Sequence, residues 1–298
     1  MSNREAFSGV FAAAVTPLRA DYSLDLDAVP SYLDFLARRG CHGALLLGTT
    51  GEGPSFAPAE RVDFFRAALA FRQTRPSFRL LAGVGTPSLE ETVFLTKSAF
   101  DLGFDGVVSL PPFYYRAATD DGLFAWFEKL IQRAVPAESA FFGYHFPAVS
   151  GVPLSLDLIA RLKEAFPDRF AGLKDSSNDP AHTRALGRRF GDALMVLTGS
   201  DSLFSLALDN HAAGCITALA NLISPSLRRI WDAHETGSTD AHTQLQMTHL
   251  HRTLAVYPTT ALVKALLADL HEMPRWPLRP PLLPLMPEAE REVLALYQ

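Results

Sequence analysis

The sequence predicts an α/β fold, a (β/α)8 barrel of the TIM type with a C-terminal helical appendage, on three observations. Short apolar runs and longer stretches of helical period alternate about eight times along the chain. Most of the runs are continuously apolar, as parallel strands covered on both faces require. The length, 298 residues, suits one barrel of about 250 residues plus an addition. A doubly wound open sheet is the weaker alternative, because no Gly-x-Gly-x-x-Gly turn follows the first strand.

In chain order the strands are expected at 10–15, 43–47, 79–84, 106–110, 140–144, 170–174, 194–198 and 215–219. Helices with recognisable punctuation lie between them. Pro58 stands where a first helical turn tolerates proline, before 60–71. Ser88-Leu-Glu-Glu91 is a capping box whose helix stops at Gly103. Residues 155–166 repeat the pattern and end before Pro167. After Asn221 the strands cease: helices are expected at 224–235, 242–256 and 259–270, then a proline-rich connector (274–287) and a short last helix. The expected division is a barrel over 1–223 and a helical region over 224–298, packed on the same domain.

Composition narrows the function classes. Hydrophobic residues at 48% and charged residues at 20% are ordinary for a soluble globular chain. A net charge of -5 and the lack of a basic stripe give nucleic acid no footprint. No apolar run reaches the roughly 18 residues of a membrane helix. The opening Met1-Ser-Asn-Arg-Glu-Ala-Phe7 lacks the basic and apolar regions of a secretory signal. A cytoplasmic location is therefore expected. Cys41 and Cys215 lie far apart without metal-type spacing, which favours buried free thiols.

Chemistry concentrates at the strand ends. Lys97, Lys129, Lys163 and Lys264 fall in helical patterns, where an apolar stem with its charge in water is the ordinary arrangement. Only Lys174 ends an apolar strand, and carboxyl ends of barrel strands face the active site. A lysine desolvated there can offer a neutral amine to a carbonyl. A buried ion pair, with Asp201 for instance, is the equally weighted structural reading. Tyr144 ends the fifth strand, where a phenol beside the amine could shuttle protons or serve only as core. Gly48-Thr-Thr-Gly-Glu52 follows the second strand; Thr49, Thr50 and Gly51 would present hydroxyls and N–H groups to a carboxylate, or form a plain turn.

Four segments together carry a resemblance: Gly48-Thr-Thr-Gly-Glu52, Leu110-Pro-Pro-Phe-Tyr-Tyr115, Gly143-Tyr-His-Phe-Pro147 and Gly172-Leu-Lys-Asp-Ser-Ser177. In order and spacing they resemble the dihydrodipicolinate synthase/N-acetylneuraminate lyase family, from Ala14-Val-Thr-Pro17 to Arg279-Pro-Pro-Leu-Leu-Pro284. The resemblance implies a lysine that forms a Schiff base with pyruvate or another 2-keto acid, in a homotetramer or at least a homodimer, without a cofactor. It makes Lys174 the nucleophile and Tyr144 the proton shuttle. Thr49 and Thr50 would hold the keto acid's carboxylate, Thr49 also relaying protons, and Ile216 would line the pyruvate pocket. The family's relay tyrosine, lent by a neighbouring subunit, maps to Tyr114 or Tyr115; spacing from Pro112 favours Tyr114.

The sequence also departs from the family. Dihydrodipicolinate synthases carry an arginine five residues after the strand-five tyrosine, to grip a carboxylate. Val149 stands there and cannot make that bidentate contact. The sialic acid branch has a glutamate where this chain has Ser202, and a later serine where it has Ala218. Ser176 and Asp201 remain as polar contacts to a hydroxylated substrate, or as loop-capping groups. The leading expectation is aldol cleavage of a hydroxy- or 3-deoxy-2-keto acid. The synthase reaction with aspartate semialdehyde and a 2-keto-3-deoxy sugar acid dehydratase are the alternatives, with a keto-acid-binding regulatory protein as the non-enzymatic one. No metal is expected: His242, His249 and His251 read as a polar helix face, and alternation turns His145 away from Tyr144's side. The absence of a glycine-rich cradle in the last two βα turns favours an unphosphorylated substrate.

Overall fold

The computed structural model describes residues 3–297. Met1 and Ser2, part of the stretch read for a secretory signal, and Gln298, the end of the expected helical region, lie outside them. The parallel strands are β1 (Gly9–Ala13), β2 (Gly43–Leu46), β3 (Arg79–Gly83), β4 (Gly106–Ser109), β5 (Ala140–His145), β6 (Phe170–Asp175), β7 (Met195–Thr198) and β8 (Gly214–Thr217). They pair in sequence order and close through β1 and β8 into a barrel. Each expected strand is present, shifted by at most two residues at either end.

Alternation sorts the apolar side chains into two cores. Phe11, Leu45, Leu81, Val108 and Phe142 fill the barrel. Their neighbours Val10, Ala44, Leu80, Val107 and Phe141 pack outward under the helices. The helix Asn3–Phe7 closes the amino-terminal end, with the Phe7 ring edge-on to Phe142 at 5.4 Å. The expected helix starts and stops hold, but the capping box is half formed, since the Ser88 N–H donates to Thr86 Oγ1 and not to Glu91. Ser88 accepts from the Glu91 N–H and Gly103 ends that helix with a φ of +95°. Ser155 caps Leu156–Ala165, and Pro58 begins Pro58–Arg72.

β6 breaks the alternation. Phe141 pairs with Phe170, yet Phe142 pairs with Gly172, so Ala171 is an extra residue in β6. Phe170 and Leu173, three positions apart, both pack outward, which a regular strand forbids. The bulge turns Lys174 inward, opposite Tyr144. A Cβ on Gly172 would meet the Met195 carbonyl oxygen at 1.9 Å, so this close approach requires glycine.

The helices Ala241–Leu254, Thr259–His271 and Pro287–Tyr297 follow the barrel. The expected division at 223/224 falls within the helix Ala220–Glu235, beside Ile223, whose dihedrals are non-helical (φ -111°, ψ 17°). Trp276 of the proline-rich connector is buried edge-on to Tyr32 at 5.3 Å. Lys264 corrects the sequence reading: its amine is not in water but buried, donating to Glu52 Oε1 at 2.5 Å and to the Pro277 carbonyl at 2.7 Å. Both cysteines are buried free thiols. No single helix among the described residues is long and apolar enough to cross a membrane.

Candidate active site

A cavity of about 670 Å3 opens at the carboxyl ends of the strands. Lys174 projects into it from β6, with its side chain 3% exposed. Its register partner on β5 is Tyr144, and Nζ lies 4.3 Å from the centre of the phenol ring. The Tyr144 hydroxyl is 3.5 Å from Thr49 Oγ1. Lysine, phenol and threonine thus meet at one point although 125 residues separate Thr49 from Lys174 in sequence. Among the described residues Lys174 makes no ion pair, and Asp201 is paired with His251 instead.

The turn after β2 explains the position of Thr49. Leu47 and Glu52 both adopt left-handed dihedrals, φ 54° and 56°, a strain that non-glycine residues accept only where surroundings hold them. Distant segments of the chain supply that hold. The Glu52 carboxylate receives the Lys264 amine on Oε1 and the Arg279 N–H on Oε2. The Gly53 N–H donates to Gly48 O, closing the loop, and Thr16 Oγ1 donates to Gly51 O at 2.6 Å.

Of the residues singled out by sequence, Lys174, Tyr144, Thr49, Thr50, Ile216, Val149, Ser176 and Asp201 line the cavity. Gly51 does not. It is buried behind the turn, where a Cβ would come within 2.8 Å of the Ala14 carbonyl oxygen. Tyr114 is also outside the cavity of its own chain: it is 77% exposed and stacks edge-on with Tyr115 at 5.5 Å. Val149 sits at the rim, 52% exposed. Among the described residues no arginine lines the cavity and Lys174 is its only lysine.

Sequence reading missed the contribution of the C-terminal region, which supplies nearly half of the lining. His251, expected on a polar helix face, instead reaches the cavity and places Nδ1 3.5 Å from Asp201 Oδ2. Asn178 and Ser200, hydrogen-bonded at 2.7 Å, were missed as well. No local signal marks these residues, because their role depends on which helix lies over which turn.

Behind β5 and β6, His145, Asp175 and His182 bring ligand-type atoms within 4.8 Å of one another. The cluster is poorly made for a metal. His145 Nδ1 accepts the Leu154 N–H at 3.0 Å, so its neutral ring carries the proton on Nε2, the atom left to ligate. Burial, reinforced by His182, pushes the His145 imidazole down to about 4, and burial pushes the Asp175 carboxyl up.

Residues 6–298 match the family described as the dihydrodipicolinate synthetase family. An uncharacterized DapA-like lyase of Chloroflexus aurantiacus is 37% identical, over 97% of this chain and 96% of that one. The crystal structure of dihydrodipicolinate synthase from Agrobacterium tumefaciens superposes with a TM-score of 0.88 at 29% identity, covering 97% of this chain and 98% of that one. The fold is shared too with YagE, a prophage protein of E. coli K12 crystallised in complex with pyruvate (TM-score 0.91, 24% identity, 98% of each chain). The chain belongs to the dihydrodipicolinate synthetase family.

Proposed function

We propose that the protein is a Schiff-base pyruvate aldolase or lyase that cleaves a hydroxy- or 3-deoxy-2-keto acid to pyruvate and an aldehyde, reversibly. The observation that carries this reading is the meeting of Lys174, Tyr144 and Thr49 at the floor of one cavity. The Lys174 amine attacks C2 of the keto acid, and Tyr144 with Thr49 moves the protons that carbinolamine formation and loss of water require. The hydroxyls of Thr49 and Thr50 hold the carboxylate, and Ile216 packs against the three-carbon unit. In the iminium, C2 accepts the electron pair of the C3–C4 bond as the C4 hydroxyl loses its proton and the aldehyde departs. The enamine left behind is protonated at C3, and water releases pyruvate and the free amine.

Support for an uncharged aldehyde half comes from the lining itself. With valine at position 149 and no arginine in the cavity, nothing there grips a second carboxylate. Aspartate semialdehyde should therefore be a poor acceptor. The exposed Tyr114–Tyr115 pair supports assembly, with Tyr114 completing the proton relay of a second copy. Incubation with pyruvate and borohydride tests the whole reading. A reduced adduct is expected on the peptide carrying Lys174, and no adduct, or one on another lysine, would sink it.

A further inference from the structure

His251 is placed with more care than a surface histidine requires. The helix Ala241–Leu254 presents Gln244, Thr248 and His251 at i, i+4 and i+7, a single stripe. The stripe lies on the turn Asp201–Leu203 that follows β7. Gln244 Nε2 donates to the Asp201 carbonyl at 3.0 Å, and its Oε1 accepts the Ser205 N–H at 2.8 Å. Thr248 Oγ1 donates to the Ser202 carbonyl at 3.3 Å. One turn further along, His251 Nδ1 meets Asp201 Oδ2 at 3.5 Å.

Asp201 depends on that contact. Its side chain is buried, and Oδ1 is shielded from solvent with no hydrogen-bond partner among the described residues. Among the described residues His251 is the one side chain paired with this carboxylate, and it turns Nδ1 toward Asp201. Nε2 is then the functional end of the ring. It has no hydrogen-bond partner among the described residues, and His251 remains partly exposed on the cavity wall.

We infer that His251 is a specificity-determining residue: its Nε2 hydrogen-bonds a hydroxyl on the aldehyde half of the substrate, beyond the scissile bond, with Asp201 as the group that orients it. The substrate class is then a 2-keto acid with a hydroxylated, uncharged tail. The buried Asp201 carboxylate, set against that imidazole, disfavours an anionic tail at the same place. This assignment rests on the Schiff-base reading above and adds the means by which the tail is chosen.

The test compares two substrates in full-length protein. One is 2-keto-3-deoxygluconate, with hydroxyls along its tail; the other is 4-hydroxy-2-ketopentanoate, with none beyond C4. His251→Phe should raise KM for the first about 10- to 100-fold, the scale of one lost hydrogen bond in a desolvated site, with kcat changed far less. KM for the second should stay within about threefold, and His251→Gln should recover part of the loss on the first. Asp201→Asn should weaken the same discrimination through the loosened imidazole. The pyruvate–borohydride adduct on Lys174, measured on each variant, reports whether the fold and the amine are intact. If wild type forms no adduct, the Schiff-base reading fails and this one with it. If adducts form normally and His251→Phe and His251→Gln leave the substrate preference unmoved, or lower both substrates equally, this inference alone is overturned.

Discussion

Lys264 and Glu52 form an ion pair with both side chains buried, Nζ to Oε1 at 2.5 Å, although 212 positions separate them. The pair joins the C-terminal region to the turn that carries Thr49 and Thr50. Burial lowers the lysine's pKa while Glu52 works against that fall. Lys264→Met would leave Glu52 buried without its cation, a loss of about 3–5 kcal/mol. The expected result is a lower urea midpoint together with weaker keto-acid binding. Glu52→Gln with Lys264→Met should restore part of the stability, since it removes the stranded charge.

Tyr144→Phe keeps the ring beside Lys174 and removes only the hydroxyl facing Thr49. Turnover should fall about 10²-fold or more, as for other positioned proton-transfer groups. Single-turnover trapping should show the pyruvate adduct forming slowly rather than weakly. A fall in affinity with an unchanged rate would assign the hydroxyl to binding.

Subunit mixing examines the exposed tyrosine pair. Tyr114→Phe and Lys174→Ala chains, each inactive or nearly so alone, should regain part of the activity once dissociated and reassembled together. Native mass spectrometry verifies that mixed assemblies form. Mixed assemblies without activity would place the relay within one chain.

His145 predicts a pH dependence of stability. Its folded value of about 4 lies below the free value of 6.5. Between those values the unfolded chain binds the proton and the folded one does not, so stability is full above pH 6.5 and falls as pH drops toward 4. The effect is at most about 3 kcal/mol. Asp175, shifted upward by burial, acts in the opposite sense. The measurable quantity is therefore the difference between wild type and His145→Asn. Urea unfolding at pH 7 and pH 4.5 should show a smaller acid loss in the variant.

Introducing an arginine probes the missing grip. Val149→Arg should improve turnover of pyruvate with aspartate semialdehyde roughly 10-fold or more, the scale of a charge-assisted bond. Efficient turnover by the unaltered protein would mean that another basic group serves. Arg116 is the first to test, since its Cδ lies within 3.0 Å of where a Cβ on Gly151 would stand.

Strand positions were legible because continuous apolar runs have one use in a parallel barrel, burial on both faces. Lys174 was legible as the lysine at a strand end, and Tyr144 likewise. His251 and Lys264 were not. Each sits in a helix whose periodicity says which residues share a face, never what that face meets. A buried amine and a solvated one have the same neighbours in sequence, and the distant Glu52 separates the two cases.

The extra residue in β6 makes the direction of Lys174 a matter of odd and even. Counting in twos from Phe170 would carry Lys174 to the outer face, among the apolar side chains beneath the helices. The same residues paired without the bulge, Ala171 opposite Phe142 and Lys174 opposite His145, would leave every stave of the barrel in place and turn the amine out of the cavity. Shape and chemistry can therefore part company over a one-residue slip in register. The frame that matters is then the parity of a strand, and a relative that lost it would keep the fold while its lysine faced the helices.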